Sequence, residues 1–185
     1  MIYPVIAYGD PVLRKKAEVV APDYPDLPQV VENLWETMYN ADGVGLAAPQ
    51  AGISIRIFVI DAREAAEDDP AAINFKRAFI NPQIVELSGE PWSMEEGCLS
   101  LPEIREDVSR PDVVRIKYFD ENFVEHDEVY RGYVGRIIQH EYDHLEGKMF
   151  VDYLSPLRKK MIKGKLNNLI KGKVNPSYRI KFHSR

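Results

Sequence analysis

The sequence predicts a fold of the α+β class, in which short, mostly antiparallel strands pack around a central helix and a further helix lies near the C-terminus. Three observations lead to this class. Apolar residues recur at three- and four-residue steps in only a few segments, which indicates few helices. Short β-branched and aromatic runs lie between them, and two such runs flank a polar turn, which is typical of antiparallel pairing. Because we find no repeat, linker or low-complexity segment, residues 1–185 are expected to form one domain.

Residues 1–72 are predicted to contain one helix and two short strands. Apolar periodicity indicates a helix over about Pro28–Asn40, and Asp26 is a residue type that favours the start of a helix. Glycines then interrupt the pattern, so Gly43–Gln50 is expected to form a tight turn that leads into a packed strand. The run Ile55–Ile60 indicates a buried strand, and the acidic, proline-containing residues 63–72 indicate an exposed loop.

Three further strands are predicted after residue 72. Phe79–Leu87 is expected to form a strand that Pro82 interrupts. Val113–Phe119 and Phe123–Val129 flank the polar residues 120–122, which predicts a hairpin.

Two helices complete the predicted fold. The central helix covers Tyr133–Leu145, and the C-terminal helix covers about Leu157–Ile170. The C-terminal helix is expected to be amphipathic. Its apolar side would consist of Leu157, Met161, Ile162, Leu166, Leu169 and Ile170.

The composition of the chain limits its possible cellular location. The one cysteine, Cys98, cannot form a disulfide within the chain, and the first residues lack the pattern of a signal peptide, so a cytoplasmic location is expected. No apolar run approaches the ~18 residues that a membrane span needs.

Residues 156–185 hold ten Lys or Arg and no Asp or Glu, whereas the rest of the chain has a net charge of −15. This basic helix and tail are expected to contact an anionic partner such as nucleic acid, or to pack on the acidic body.

The strongest chemical signal is the pattern His140-Glu141-Tyr142-Asp143-His144 inside the predicted central helix. Residues four apart lie one above the other on a helix, so both imidazoles can reach the same metal ion. Glu141 would lie beside that ion and handle the protons of a bound water molecule.

Two histidines leave a catalytic metal site one ligand short, because such sites commonly have three protein ligands and one open position. The pattern H-x-x-G-x-x-H, by which some peptidases add a third histidine, is absent after His144, and Asp152 is the only acid beyond Glu146. Cys98, in the segment Glu95–Ser100, is the candidate, since a thiolate binds zinc or ferrous iron strongly. The alternative is that Cys98 is a small buried apolar residue.

Three segments together resemble one enzyme family. Gly43–Gln50, Glu96–Ser100 and Gln139–Gly147 match, in order, the signature motifs of peptide deformylase, G-φ-G-φ-A-A-x-Q, E-G-C-φ-S and Q-H-E-x-D-H-L-x-G, where φ is apolar. The resemblance begins at Tyr8–Arg14 and is to the bacterial form of the enzyme. It implies a metal-dependent hydrolase that removes the formyl group from the N-terminal formylmethionine of nascent polypeptides and releases formate.

The resemblance also implies a metal site. Cys98, His140 and His144 would hold the ion, with a water molecule in the fourth position, and Glu141 would act as general base and then as general acid. Ligand chemistry by itself favours zinc. The resemblance instead implies Fe2+ as the native metal, with Zn2+, Ni2+ or Co2+ as substitutes.

Further residues are implied to contact the substrate. Gln50 and the backbone N–H of Leu99 would face the oxygen of the tetrahedral intermediate, and Gly45 would align the peptide as an added strand. Val44 and Ile137 would line an apolar pocket for the methionine side chain.

The surroundings of the metal site leave alternatives open. The second ring nitrogen of a histidine ligand usually needs an acceptor, and both Asp143 and Glu96 are candidates. Asp143 could instead form a structural ion pair. Arg105 and Arg110 lie where the family has arginines that support the segment around Cys98.

Two rival functions are considered. One is a metallopeptidase that cleaves peptide bonds, and the other is a zinc-stabilised binding module without activity, with the basic tail as its working surface. The partners expected for a deformylase are formylmethionyl nascent peptides and, through the basic tail, the ribosome. Neither DNA nor a membrane is expected as a partner.

Overall fold

The computed structural model describes residues 1–183, so Ser184 and Arg185, the last two residues of the predicted basic tail, lie outside the described residues. Three α-helices and seven strands lie in this part of the chain. The helices are α1 (Leu27–Asn40), α2 (Gly132–Leu145) and α3 (Pro156–Ile170). The strands are β1 (Val5–Ile6), β2 (Gly45–Ala47), β3 (Ile57–Asp61), β4 (Lys76–Gly97), β5 (Arg105–Phe119), β6 (Glu125–Tyr130) and β7 (Ile180–Lys181).

Five of the strands form one antiparallel sheet in the order β2-β3-β4-β5-β6, so β2 and β6 are its edges. β1 and β7 form a separate parallel pair that brings the two ends of the chain together. α2 packs against β2, β3 and β5, and eleven of its fourteen residues are buried. The predicted α+β class, with mostly antiparallel strands around a central helix, is therefore confirmed.

α1 forms where the sequence predicts it. Leu27, Val31, Leu34 and Met38 recur on one face of this helix and are buried beside β2 and β3. Asp26 precedes the helix, but its backbone is left-handed (φ 53°) and its side chain makes no capping hydrogen bond. The start of α1 therefore depends on the proline in its first turn, whose fixed φ suits a helix.

The segments between α1 and β4 also follow the prediction. Gly43 and Val44 lead into the buried strand β2, and all five residues of β3 are buried. Residues 63–72 contain two short 3₁₀ turns, Arg63–Ala65 and Pro70–Ala72. Ala72 is the one buried residue of this otherwise exposed or half-buried segment.

β4 and β5 are longer than predicted. The predicted strand Phe79–Leu87 continues to Gly97, because residues 88–97 pair with β5 although they lack the apolar alternation of a half-buried strand. The register shifts near Pro82 and Pro91, where bulges accommodate residues that cannot donate to the ladder. The extension places the end of β4 immediately before the cysteine.

α3 forms where expected, but its predicted apolar side is wrong. Ile162 and Leu169 are buried and Leu166 is half-buried, so α3 contacts the body along one narrow line spaced i, i+4, i+7. The other three members of the predicted apolar side flank this line and are exposed. They are Leu157, Met161 and Ile170, which are 68%, 63% and 38% exposed. Within residues 1–183, we find no helix with the length and apolar character to cross a membrane.

Candidate metal centre

Three side chains from two distant parts of the chain meet beside α2. His140 and His144 project from one face of α2, because four residues make slightly more than one helical turn. Cys98 comes from the turn that follows β4. Donor atoms of the three residues lie within 4.8 Å of one another, and Cys98 Sγ is 3.4 Å from His144 Nε2. In the described part of the chain, no other group of three His, Cys, Asp or Glu side chains meets in this way.

Glu96 is the carboxylate that orients His140. Nδ1 of His140 lies 2.9 Å from Glu96 Oε2, so the structure selects Glu96 rather than Asp143 as the acceptor. Asp143 instead accepts hydrogen bonds from Arg110 at 2.7 Å and from the hydroxyl of Tyr153 at 3.0 Å. Of the two alternatives for Asp143, the structural ion pair is therefore the one that the fold contains.

A buried ion network surrounds Glu96. Arg110 is 4% exposed and donates to Glu96 at 2.7 and 3.0 Å as well as to Asp143. Arg136 donates to Glu96 at 3.0 Å and to two backbone carbonyls. Burial disfavours the charged form of Glu96, but hydrogen bonds from His140 and Arg110 outweigh it and hold the pKa of Glu96 well below its ordinary value. The group that accepts the hydrogen bond from Nδ1 of His140 is thus a charged carboxylate.

The two arginines that the resemblance suggests have different surroundings. Arg110 belongs to the buried network, whereas the side chain of Arg105 is 68% exposed and lies 3.7 Å from Glu95. Arg136 is missing from the sequence prediction. It lies four residues before His140 on the same face of α2, and that spacing is the signal that could have indicated it.

Glu141 lies against the edge strand β2. Its side chain is buried, Oε2 has no hydrogen-bond partner in the described structure, and burial raises the pKa of Glu141 to about 7. Gly45 is directly opposite. A Cβ built on Gly45 would overlap Oε1 of Glu141 and lie 2.9 Å from its Cγ and Cδ. The missing side chain of Gly45 therefore makes room for the carboxylate.

Gln50 presents an amide donor to the same cluster. It is 2% exposed and lies in the 3₁₀ turn that follows β2. Its Oε1 accepts a hydrogen bond from the N–H of Ala47 at 2.9 Å, which directs its NH2 group away from β2. Nε2 then lies 3.3 Å from both Cys98 Sγ and Ser100 Oγ. The amide donor expected from the sequence is therefore held in position by the backbone N–H of Ala47.

A cavity of about 530 Å³ opens onto these groups. With the exception of His144, every site residue expected from the sequence lines it. These residues are Val44, Gly45, Gln50, Cys98, Leu99, Ile137, His140 and Glu141. The cavity is also lined by three residues of the C-terminal tail that the sequence analysis does not indicate, Pro176, Ser177 and Tyr178.

A thiol and two imidazoles beside a buried carboxylate have the chemistry of a metal-dependent hydrolase, in which a Lewis acid and a base act on one water molecule. Comparison with known proteins gives the particular family. Residues 2–160 match the model of the family described as polypeptide deformylase. The chain belongs to this family.

Relatives match over nearly the whole chain. The peptide deformylase of Christiangramia forsetii is 52% identical, with 98% of this chain and 96% of the relative covered. That of Flavobacterium johnsoniae is 51% identical with the same coverage. A solved peptide deformylase from Plasmodium falciparum is 40% identical, covers 91% of this chain and 95% of its own, and superposes with a TM-score of 0.81. The chain is thus a metal-binding hydrolase that removes the N-formyl group of nascent polypeptides, and neither rival function is supported.

Proposed function

We propose that Cys98, His140 and His144 hold the metal ion of this deformylase. The donor set of one sulfur and two nitrogens suits a catalytic site, and the cavity provides access for a fourth ligand. The hydrogen bond between Nδ1 of His140 and Glu96 leaves the other ring nitrogen available for the ion. When bound, the ion supplies the Lewis acidity that lets water ionise near neutral pH.

Glu141 carries the proton transfers in this proposal. Its Oε2 is buried at the cavity without a hydrogen-bond partner, so it can accept a proton from the attacking water. The water oxygen adds to the formyl carbon, and Glu141 then returns the proton to the amine as the C–N bond breaks and formate leaves. The Gln50 amide and the Leu99 N–H donate to the oxygen of the tetrahedral intermediate, and each such donor contributes about 3 kcal/mol.

The edge strand β2 is the proposed binding site for the peptide backbone. β2 pairs only with β3 in the sheet, so its outer edge can add a short strand at Gly45. Val44 and Ile137 line the cavity beside it and provide the apolar contacts for methionine. The observation that carries the whole assignment is that this edge, Cys98, His140 and Glu141 line one cavity, with Nε2 of His144 3.4 Å from Cys98 Sγ.

An assay with paired substrates tests this function. The chain is expected to release formate from a formylmethionyl tripeptide and to leave the unformylated tripeptide intact, because the water is directed at the formyl group. Formate is measured by a coupled dehydrogenase and peptide cleavage by mass spectrometry. Cleavage of the unformylated peptide without formate release would contradict the proposal.

Gly45→Ala is expected to displace the Glu141 carboxylate and to lower kcat by about 100-fold, since a misplacement of 1 Å can have this effect. The matched control is Gly164→Ala in α3, where an added Cβ meets no atom within 4 Å. The control should keep full activity and a slightly higher melting temperature, because Ala favours a helix interior. Steady-state formate release measures both variants, and equal kcat values would show that Glu141 does not need this space.

We further propose Fe2+ as the native metal. One thiolate and two imidazoles can bind Fe2+ as well as Zn2+, Ni2+ or Co2+. The ligand set is therefore compatible with iron and with each of the three substitutes. Protein prepared without oxygen should contain iron in proportion to its formate-releasing activity. Zinc in fully active, anaerobically prepared protein would overturn this assignment.

The basic C-terminal helix and tail are proposed to dock on ribosomal RNA in the cytoplasm, where nascent chains emerge. Arg158 is the one side chain of α3 that forms an ion pair in the described structure, with Glu106. The lysines of α3 are exposed, so most of its charge is available to a partner. Changing Lys160, Lys163 and Lys165 to Glu should abolish cosedimentation with ribosomes while the melting temperature and tripeptide turnover stay unchanged. Unchanged ribosome binding would refute this docking.

A further inference from the structure

The C-terminal tail returns to the active-site cavity after α3. β7 pairs with β1 in parallel, and two backbone hydrogen bonds of 2.9 Å from the N-terminal segment to the tail hold this pair together. Residues 176–178 lie just before β7 and line the cavity. The match to the family model covers residues 2–160, so this part of the cavity wall lies outside the matched region.

Tyr178 makes a specific contact from the tail to the metal-binding turn. Its hydroxyl donates a hydrogen bond of 2.8 Å to the carbonyl oxygen of Leu99, the residue that follows Cys98. The phenol is half-buried at this position. A buried or half-buried carbonyl needs a donor, and no backbone N–H of the described structure bonds this one.

The carbonyl groups on either side of Leu99 are held by the backbone. That of Cys98 accepts from the N–H of Leu101 at 2.9 Å, and that of Ser100 accepts from the N–H of Tyr8 at 2.8 Å. Three consecutive carbonyls of the turn are therefore fixed, and the middle one depends on a side chain from the tail. The Leu99 N–H shares a peptide plane with the Cys98 carbonyl, whereas the Leu99 carbonyl belongs to the next plane, the central peptide of the turn that the bond from Leu101 N–H to Cys98 closes. Tyr178 holds this central peptide.

We propose that Tyr178 is a positioning residue, which holds the central peptide of this turn and thereby the turn conformation that directs the Leu99 N–H at the oxygen of the tetrahedral intermediate. The tail thereby completes the active site from outside the family core. The inference rests on the proposed function, because it uses the role of the Leu99 N–H as a donor. Positioning matters here since a donor is effective only when it is directed at the place where negative charge develops.

Tyr178→Phe tests the proposal, because it removes one oxygen atom and keeps the ring that fills the cavity wall. We expect kcat for formate release to fall by about 10-fold, less than for loss of a whole oxyanion donor, with KM unchanged. Metal content and melting temperature should equal those of the matched control, Tyr3→Phe. That control also removes one hydroxyl with one hydrogen bond, which Tyr3 accepts from Asn33 at 3.0 Å.

The split between kcat and KM separates positioning from a merely structural role. A kcat equal to that of Tyr3→Phe, a change in KM alone, or a loss of bound metal would each overturn the inference while the deformylase function stands. An unmodified chain that releases no formate would overturn the proposed function and the inference with it.

Discussion

Glu141→Gln is expected to abolish turnover while the metal stays bound. Gln has the shape of Glu but cannot accept a proton from water, and loss of a general base should lower kcat by about 1,000-fold. Glu141 is outside the three residues whose donor atoms converge, so the metal content should not change. Formate release and metal analysis on the same preparation measure both effects.

A matched variant separates this effect from a general loss of carboxylate charge. Glu90 is exposed on β4, and Glu90→Gln makes the same chemical change away from the cavity. This control should keep the kcat of the unmodified enzyme. A Glu141→Gln enzyme that turns over at a comparable rate, or that has lost its metal, would contradict the role of Glu141 as the base.

Arg110→Ala is expected to have the largest effect on stability. Its guanidinium is buried between Glu96 and Asp143, and the variant leaves both carboxylates without this counter-charge. Removing one partner of a buried ion pair typically lowers the free energy of unfolding by about 3–5 kcal/mol. Urea denaturation at a fixed metal content measures the change from the transition midpoint and its slope.

Arg115 offers a control with the same pairing geometry at the surface. It donates two hydrogen bonds of 2.8 Å to Asp127, as Arg110 does to Glu96, but its side chain is 47% exposed. Because solvent screens an exposed pair, Arg115→Ala should lower stability far less. Equal losses in the two variants would show that burial of the network does not determine its contribution.

Local patterns account for the parts of the site that were predictable. His140 and His144 lie on one helix face, and that relation depends only on a spacing of four residues within a periodic segment. The placement of Cys98 followed from counting ligands, since the segment after His144 lacks the H-x-x-G-x-x-H pattern of a third histidine and holds Asp152 as its only acid beyond Glu146. Gly45 was indicated by its motif, although the reason for a glycine there, the carboxylate of Glu141, lies almost a hundred residues away.

Other features had no local signal. Most residues in the second half of β4 are exposed or half-buried and few are apolar, so its strand character arises from pairing with β5 rather than from apolar alternation. The apolar residues of α3 suggested a broad buried side, but only Ile162 and Leu169 of this helix are buried. In both segments the structure that packs against the segment, and not the segment's own sequence, determines which residues pair or become buried.

The amino-acid sequence by itself determined the fold class, the helix that carries the paired histidines, and the identity of the three metal-binding candidates. Only the tertiary structure decided that Glu96 rather than Asp143 orients His140, that Arg136 joins the network, and that Tyr178 reaches Leu99. The physical reason is distance along the chain. Helical spacing acts over four residues, whereas His140 and Glu96 are 44 residues apart and Tyr178 and Leu99 are 79 apart, so their contacts exist only once the sheet and both chain ends have packed.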